Sequence, residues 1–207
     1  MLSFFNEPCL KAAVVERVKE HQRLDQIIQG TYWDGARGCA IGCVLHSGEH
    51  MAYETQLGLP VFLAYMDEHI FEHLPPAEAT LWPLRFIEAV PVGVDLEVVF
   101  PRFMHWLLSD PLGMRQYANG KTLRVIDSLV TLYTRRIEGV PFDTRAAESA
   151  RSAALSARSA AESAAGSAAV SAAIRRQADY LISVLQSYES APIPVVTPCE
   201  ELLFLAR

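Results

Sequence analysis

The sequence predicts an all-α protein, a multi-helix globule with one long Ala/Ser-rich helix. Three observations predict it. Apolar residues recur at spacings of three and four between Glu7 and Ile137. Proline and glycine interrupt that pattern where short helix connections would fall. From Asp143 onward the chain becomes an alanine and serine repeat, and alanine is the best helix former.

Taken in order, Asn6 is read as the cap of a first helix from about Glu7 to Gln29. Leu10, Val14, Val18, His21, Leu24 and Ile28 form its apolar stripe, and Gly30 follows as its C′ residue. Asp34-Gly35 lies between short apolar runs and predicts one small β-hairpin near 31–41, the only β signal. Ser47 is read as the cap of a short helix over 48–57, with Gly58 as its stop. Pro60 opens the next helix, with Phe62, Tyr65, Met66, Ile70 and Leu74 as its apolar set.

“PPAEATLWPLRFIEAV” reads as one helix with Pro76 near its start and a kink at Pro83. Asp95 caps “LEVVFPRFMHWLL”, where Pro101 restarts the helix. “KTLRVIDSLVTLYTRRI” places Leu123, Ile126, Val130, Tyr133 and Ile137 on one face. These elements define an α-helical globular region over 1–142. A long helix over 143–189 and a tail over 190–207 follow.

The long helix carries an alanine seam at Ala146, Ala150, Ala153, Ala157, Ala160 and Ala164. The three-four spacing is that of a coiled coil as far as Glu162. Beyond it the unit is four residues, which drifts about 40° per step around an α-helix, so the packing partner changes near Gly166. About 46 residues span roughly 69 Å, longer than a globule of the remaining residues. The helix therefore protrudes, pairs with another copy, or folds back as a hairpin near Gly166. Low-complexity disorder is the competing reading. Val170, Ile174, Leu181, Leu185 and Tyr188 form a conventional apolar stripe that docks on the globule.

Composition excludes several classes. The 207 residues are 51% hydrophobic, enough for a sizeable core. A net charge of −6 with no Lys/Arg block argues against nucleic acid. No strongly apolar run is long enough for a membrane span, and the N-terminus does not read as a secretory signal. Cys9, Cys39, Cys43 and Cys199 do not make a disulfide framework, so a reducing cytoplasm is expected.

“GTYW” (30–33), “GCAIGC” (38–43) with His46, “YE” (53–54), “LGLP” (57–60), “IFEHLP” (70–75), “WP” (82–83), “GVDL” (93–96) and “WLL” (106–108) form a set. With it, most of the chain resembles a loose group of uncharacterised proteins from phages and bacterial genomes. Members of this kind carry an alanine-rich repeat tail. Theirs is expected to hold tyrosine and aspartate, where this chain uses serine. The resemblance implies an accessory protein of phage connection and brings no activity, cofactor or partner with it.

The densest chemistry lies in “GARGCAIGCVLHSGEH”, residues 35–50. A helix over 39–50 would put Cys39, Cys43, His46 and His50 within about 60° of one face, but spread over roughly 16 Å of axis. One zinc cannot gather all four unless the backbone breaks, which Gly38, Gly42 and Gly48 permit. A thiol-dependent enzyme is a second reading, with Cys43 at a helix N-terminus and His46 as its base. The third reading packs both cysteines as inert thiols where helices meet. On that reading Cys39 and Cys43 are buried and not bonded to each other.

Glu68, His69, Glu72 and His73 have helical spacing and read as a solvated face rather than a metal site. The leading expectation is a non-enzymatic protein acting by self-association or by binding a protein partner, with no resident cofactor. Its interface is the alanine seam. Zinc or thiol enzymology at Cys39/Cys43/His46 is the alternative. Ice or surface binding by the Ser/Ala face is a distant one.

Overall fold

A computed structural model describes residues 1–141 and 167–189. Its described residues form helices and turns without a strand, an all-α arrangement. The alanine seam at 146–164 and the expected break near 166 lie outside the described residues. The chain divides into two compact units, Met1–Glu97 with Leu181–Arg207, and Val98–Tyr180.

In the first unit, α1 spans Pro8–Arg23, shorter than expected at both ends. Phe4, Phe5 and Asn6 take positive φ in a left-handed turn, so Glu7 and not Asn6 occupies the cap position. At the other end the backbone of residues 26–28 leaves the helix to pair with Gly38. Gly38 N donates to the Gln26 carbonyl (3.0 Å) and Ile28 N to the Gly38 carbonyl (2.9 Å). Long-range pairing outweighs helical propensity here. The buried stripe of α1 is Ala13, Val14, Val18 and His21, while Leu24 is exposed.

The Asp34-Gly35 turn forms as read. Asp34 Oδ1 accepts from the backbone N–H groups of Ala36 and Arg37, and Gly35 takes a positive φ. Its flanks make isolated bridges, Trp33 and Ile27 each to Gly38, rather than strands.

Helix α2 (Ala40–Leu45) is buried along its whole length and packs on α1, α4 and α6. Helix α3 (Ala52–Leu57) stops at Gly58 in the left-handed region, as the glycine predicts. Helix α4 (Val61–His73) starts after Pro60. The proline-rich segment forms two helices, α5 (Pro76–Ala79) and α6 (Trp82–Ala89), with Pro83 in the first turn of α6 rather than at a kink. A proline in a first turn forfeits no helical hydrogen bond.

The second unit is simpler. Helix α7 (Val99–Ser109) packs on α8 (Gly120–Ile137). Asn119 caps α8 by accepting from the N–H groups of Lys121 and Thr122. Leu108, Ile126, Leu129 and Tyr133 form the core. Helix α9 (Ser167–Gln186) is divided between the units at Tyr180 and Leu181. Ile174, Leu181 and Leu185 of its expected stripe are buried, and Val170 and Tyr188 half-buried. In its first part the Tyr180 ring stacks on Trp106 at 4.3 Å, and Arg176 pairs with Asp110 at 3.3 Å. No helix among the described residues is long and apolar enough to cross a membrane.

Candidate functional site

The 35–50 segment is held by a close backbone approach. The Tyr32 carbonyl lies directly over α2. A Cβ at Gly42 would sit 1.7 Å from that oxygen, and one at Gly38 would sit 2.2 Å from it. Only glycine fits either position. Cys39 then precedes α2, and its N–H donates to the Thr31 carbonyl at 2.7 Å.

Cys39 and Cys43 are buried free thiols. The Cys43 thiol donates to the Gly38 carbonyl at 3.4 Å. Burial pushes Cys39 up to about 11, outweighing the N–H groups of Gly42 and Ile41 that favour its thiolate. Burial, then the neighbouring Cys39, pushes Cys43 up to about 12. A helix start does lower a thiol's pKa, but desolvation is the larger effect here. Both sulfurs therefore remain protonated near neutral pH.

His46 ends α2 in the left-handed region, with φ 54° and ψ 35°. That conformation turns its ring to α1 and Trp33. The ring stacks on Trp33 at 4.6 Å, and its Nε2 lies 2.7 Å from His21 Nε2. With the Gln26 amide oxygen toward it, His21 Nδ1–H donates to Gln26 (2.7 Å). His21 then offers Nε2 as acceptor, and His46 Nε2–H donates to it. Burial, followed by the charge of Arg17 and then His21, holds His46 down to about 4.

His50 has other partners. Its Nε2–H donates to Glu68 at 2.7 Å, its ring stacks on Tyr65 at 4.5 Å, and Tyr32 meets it edge-on at 5.8 Å. The four Cys/His residues thus fall into three environments: Cys39 and Cys43 as buried thiols, His46 against His21 of α1, and His50 against Glu68 and Tyr65 of α4. Among the described residues no group of three or more Cys, His, Asp or Glu could hold a metal.

Beside His50 lies a cleft of about 190 Å³ lined by Gly30, Thr31, Tyr32, Glu68 and Glu72. Gly30 adopts φ +80° and its N–H donates to both oxygens of Glu72, at 3.0 and 3.1 Å. The hydrogen bond to Glu68 and that carboxylate's charge raise the Tyr32 phenol's pKa. Glu68 and Glu72 are half-buried cleft walls rather than a freely solvated face. The i,i+4 pair His69/His73 is tied internally, His73 Nδ1–H donating to the His69 carbonyl at 2.8 Å.

Periodicity missed the most consequential polar residue. Asp67, fully buried on α4, accepts from the Tyr53 hydroxyl (2.6 Å) and from Trp82 Nε1–H (2.7 Å). Burial raises its carboxyl to about 7 despite both hydrogen bonds. A signal was present: Asp67 interrupts the Leu63, Ile70, Leu74 stripe, where an acidic side chain requires buried donors. The same helix turns Tyr65, expected inside, out to solvent.

Compared with models of known families, with curated proteins and with solved structures, the chain matches none.

Proposed function

We propose that this protein acts by association, as a non-enzymatic accessory protein, in line with its resemblance to phage and bacterial-genome proteins. One observation carries the reading. Tyr32 and Tyr65 are 51% and 56% exposed, and His50 joins the two tyrosine rings. Exposed aromatic side chains gathered on one face are typical of a binding surface. The alanine seam at 146–164 supplies the sequence-level support, since an all-alanine seam gains little unless another helix approaches closely.

The protonated state of Cys39 and Cys43 disfavours the thiol enzyme. In thiol-reactivity mapping of the native protein, both are expected to react far more slowly than a free cysteine. A fast-reacting Cys43 at neutral pH would restore the enzyme reading. Association is tested by light scattering of the full chain, Ala157→Glu and Tyr65→Ser. A change of mass in either variant supports self-association, and a monomer indifferent to both removes it. A cytoplasmic setting belongs to this reading through the sparse cysteines.

A further inference from the structure

We infer that residues 1–6 exchange between two copies of this chain, so that each copy's Ser3 and Phe4 seat in the first unit of the other. This rests on the association reading and names the partner, a second copy, and the contact that joins the two.

The seat is fully built. Ser3 and Phe4 are completely buried. The Ser3 hydroxyl donates to the Pro91 carbonyl (2.6 Å) and accepts from Val94 N–H (3.0 Å). Its own N–H donates to the Val94 carbonyl (2.9 Å), and its carbonyl accepts from Gly93 N–H (2.9 Å). Leu2 lies across an antiparallel bridge from Asp95. These contacts depend on the segment and its seat, not on which chain brings the segment. The same segment of a second copy therefore fits by construction. The exchange is reciprocal, which closes the assembly as a dimer.

The two forms differ in the connection to α1. Phe4, Phe5 and Asn6 take φ of 51°, 52° and 61°, three consecutive residues in the left-handed region. Asparagine tolerates that region, whereas the phenylalanine Cβ crowds the following carbonyl oxygen. The ends of the connection force this strain. Glu7 is extended, with φ −109° and ψ 100°, the conformation favoured before a proline. From there Phe4, Phe5 and Asn6 must reverse the chain to bring Ser3 back to Val94. A segment seated in another copy has no such reversal to make, so Phe5 and Asn6 straighten and their strain is released. Short connections under strain favour exchange for this reason.

Opening forfeits two bonds inside the turn, from Phe5 N–H to the Leu2 carbonyl and from Glu7 N–H to the Phe4 carbonyl. Phe5 and Glu7 are exposed, so their N–H groups turn to water at little net cost. Beside the seat, Leu2 and Phe5 are 47% and 44% exposed. Where two connections cross, these apolar side chains gain a cover that the single chain lacks.

Disulfide trapping reads the exchange directly. Leu2→Cys and Asp95→Cys are placed together in the full chain, where residues opposed across a bridge lie within disulfide reach. Nitrogen-15-labelled and unlabelled copies are unfolded together in urea and reductant, refolded, concentrated and oxidised. Mass spectrometry of a digest then weighs the peptides that link positions 2 and 95. In the dimer fraction about half of these links are expected to join a labelled to an unlabelled peptide, as random reciprocal pairing requires. Light scattering follows two further variants. Phe5→Ala removes the apolar side chain and keeps the strain, and Phe5→Gly removes both. The Phe5→Gly chain is expected to dimerise about a hundredfold more weakly than the Phe5→Ala chain, about tenfold for each connection.

A dimer without mixed-isotope links overturns the exchange. The copies then meet through another face, and the association reading stands. Should the double-cysteine chain fail to fold, equal dimerisation of the Phe5→Gly and Phe5→Ala chains overturns the exchange instead. A monomer at every concentration removes the exchange and self-association together.

Discussion

The two units solve the same problem, closing a helical core, with different side chains. In the first, Ser3, His21 and Asp67 are buried and each has hydrogen-bonding partners. In the second, the core between α7 and α8 is Leu108, Ile126, Leu129 and Tyr133, and the described buried residues include no charged side chain. An apolar core tolerates small rearrangements, because its attraction has no direction. A core closed around polar groups does not, since each donor left unpaired costs about 1–3 kcal/mol. The first unit should therefore respond sharply to single-atom changes and the second weakly.

The largest effect is expected at Asp67. Asp67→Ala leaves the Tyr53 hydroxyl and the Trp82 N–H buried without their acceptor. That should cost about 3–5 kcal/mol in urea unfolding. Asp67→Asn should retain most of the stability, because its amide oxygen can accept from Trp82 and its NH₂ can donate to the Tyr53 oxygen. If the alanine variant loses less than about 1 kcal/mol, the polar centre does not hold this unit together.

The next contrast uses two glycines. Gly42→Ala puts a Cβ into the Tyr32 carbonyl, a backbone atom that cannot swing away. A loss of about 2 kcal/mol is expected, despite alanine's roughly 1 kcal/mol advantage in a helix. Gly120, at the start of α8, has nothing within 4 Å of its would-be Cβ. Gly120→Ala should gain about 0.4–1 kcal/mol. Opposite signs in parallel denaturation curves sharpen the comparison, and equal signs break it.

The smallest effect is a pH dependence with two opposing parts. An unfolded histidine takes up a proton near pH 6.5, but His46 in the folded protein does so only near 4. Stability from His46 is therefore lost as pH falls through that window. Asp67 acts in reverse: its folded pKa is raised from 3.8 to about 7, so its contribution is largest in acid and lost as pH rises across that range. Wild-type stability should change little between pH 6.5 and 4.5. Asp67→Asn removes one part, and its stability should fall with acid by on the order of 1–2 kcal/mol, solvent screening of the His46 ring included. A flat profile for Asp67→Asn would show that His46 is not held neutral by its surroundings.

The same division separates what was legible from what was not. The apolar positions that define α8, the stop at Gly58, the start after Pro60 and the Asp34-Gly35 turn were all readable, because each depends on neighbours within a few residues. The burial of both thiols followed from Ala40, Ile41, Val44 and Leu45 around them. The early end of α1 was hidden, because Gly38 takes the backbone bonds of residues 26–28 from a distance. On α4 the period found the buried Met66, Ile70 and Leu74 but placed Tyr65 inside and passed over Asp67.

By itself the sequence determined the helical class, the positions of most helices and the chemical character of the 35–50 segment. Those properties are local, set by propensity, capping and periodicity. Only the tertiary structure decided that His46 turns to His21 while His50 turns to Glu68, that Asp67 meets Tyr53 and Trp82, and that Glu68 and Glu72 wall a cleft with Tyr32. A buried polar group is satisfied by whichever donor the fold brings near. For Asp67 those donors stand 14 and 15 residues away, and for His46 the partner is 25 residues away. No spacing rule along the chain encodes such separations.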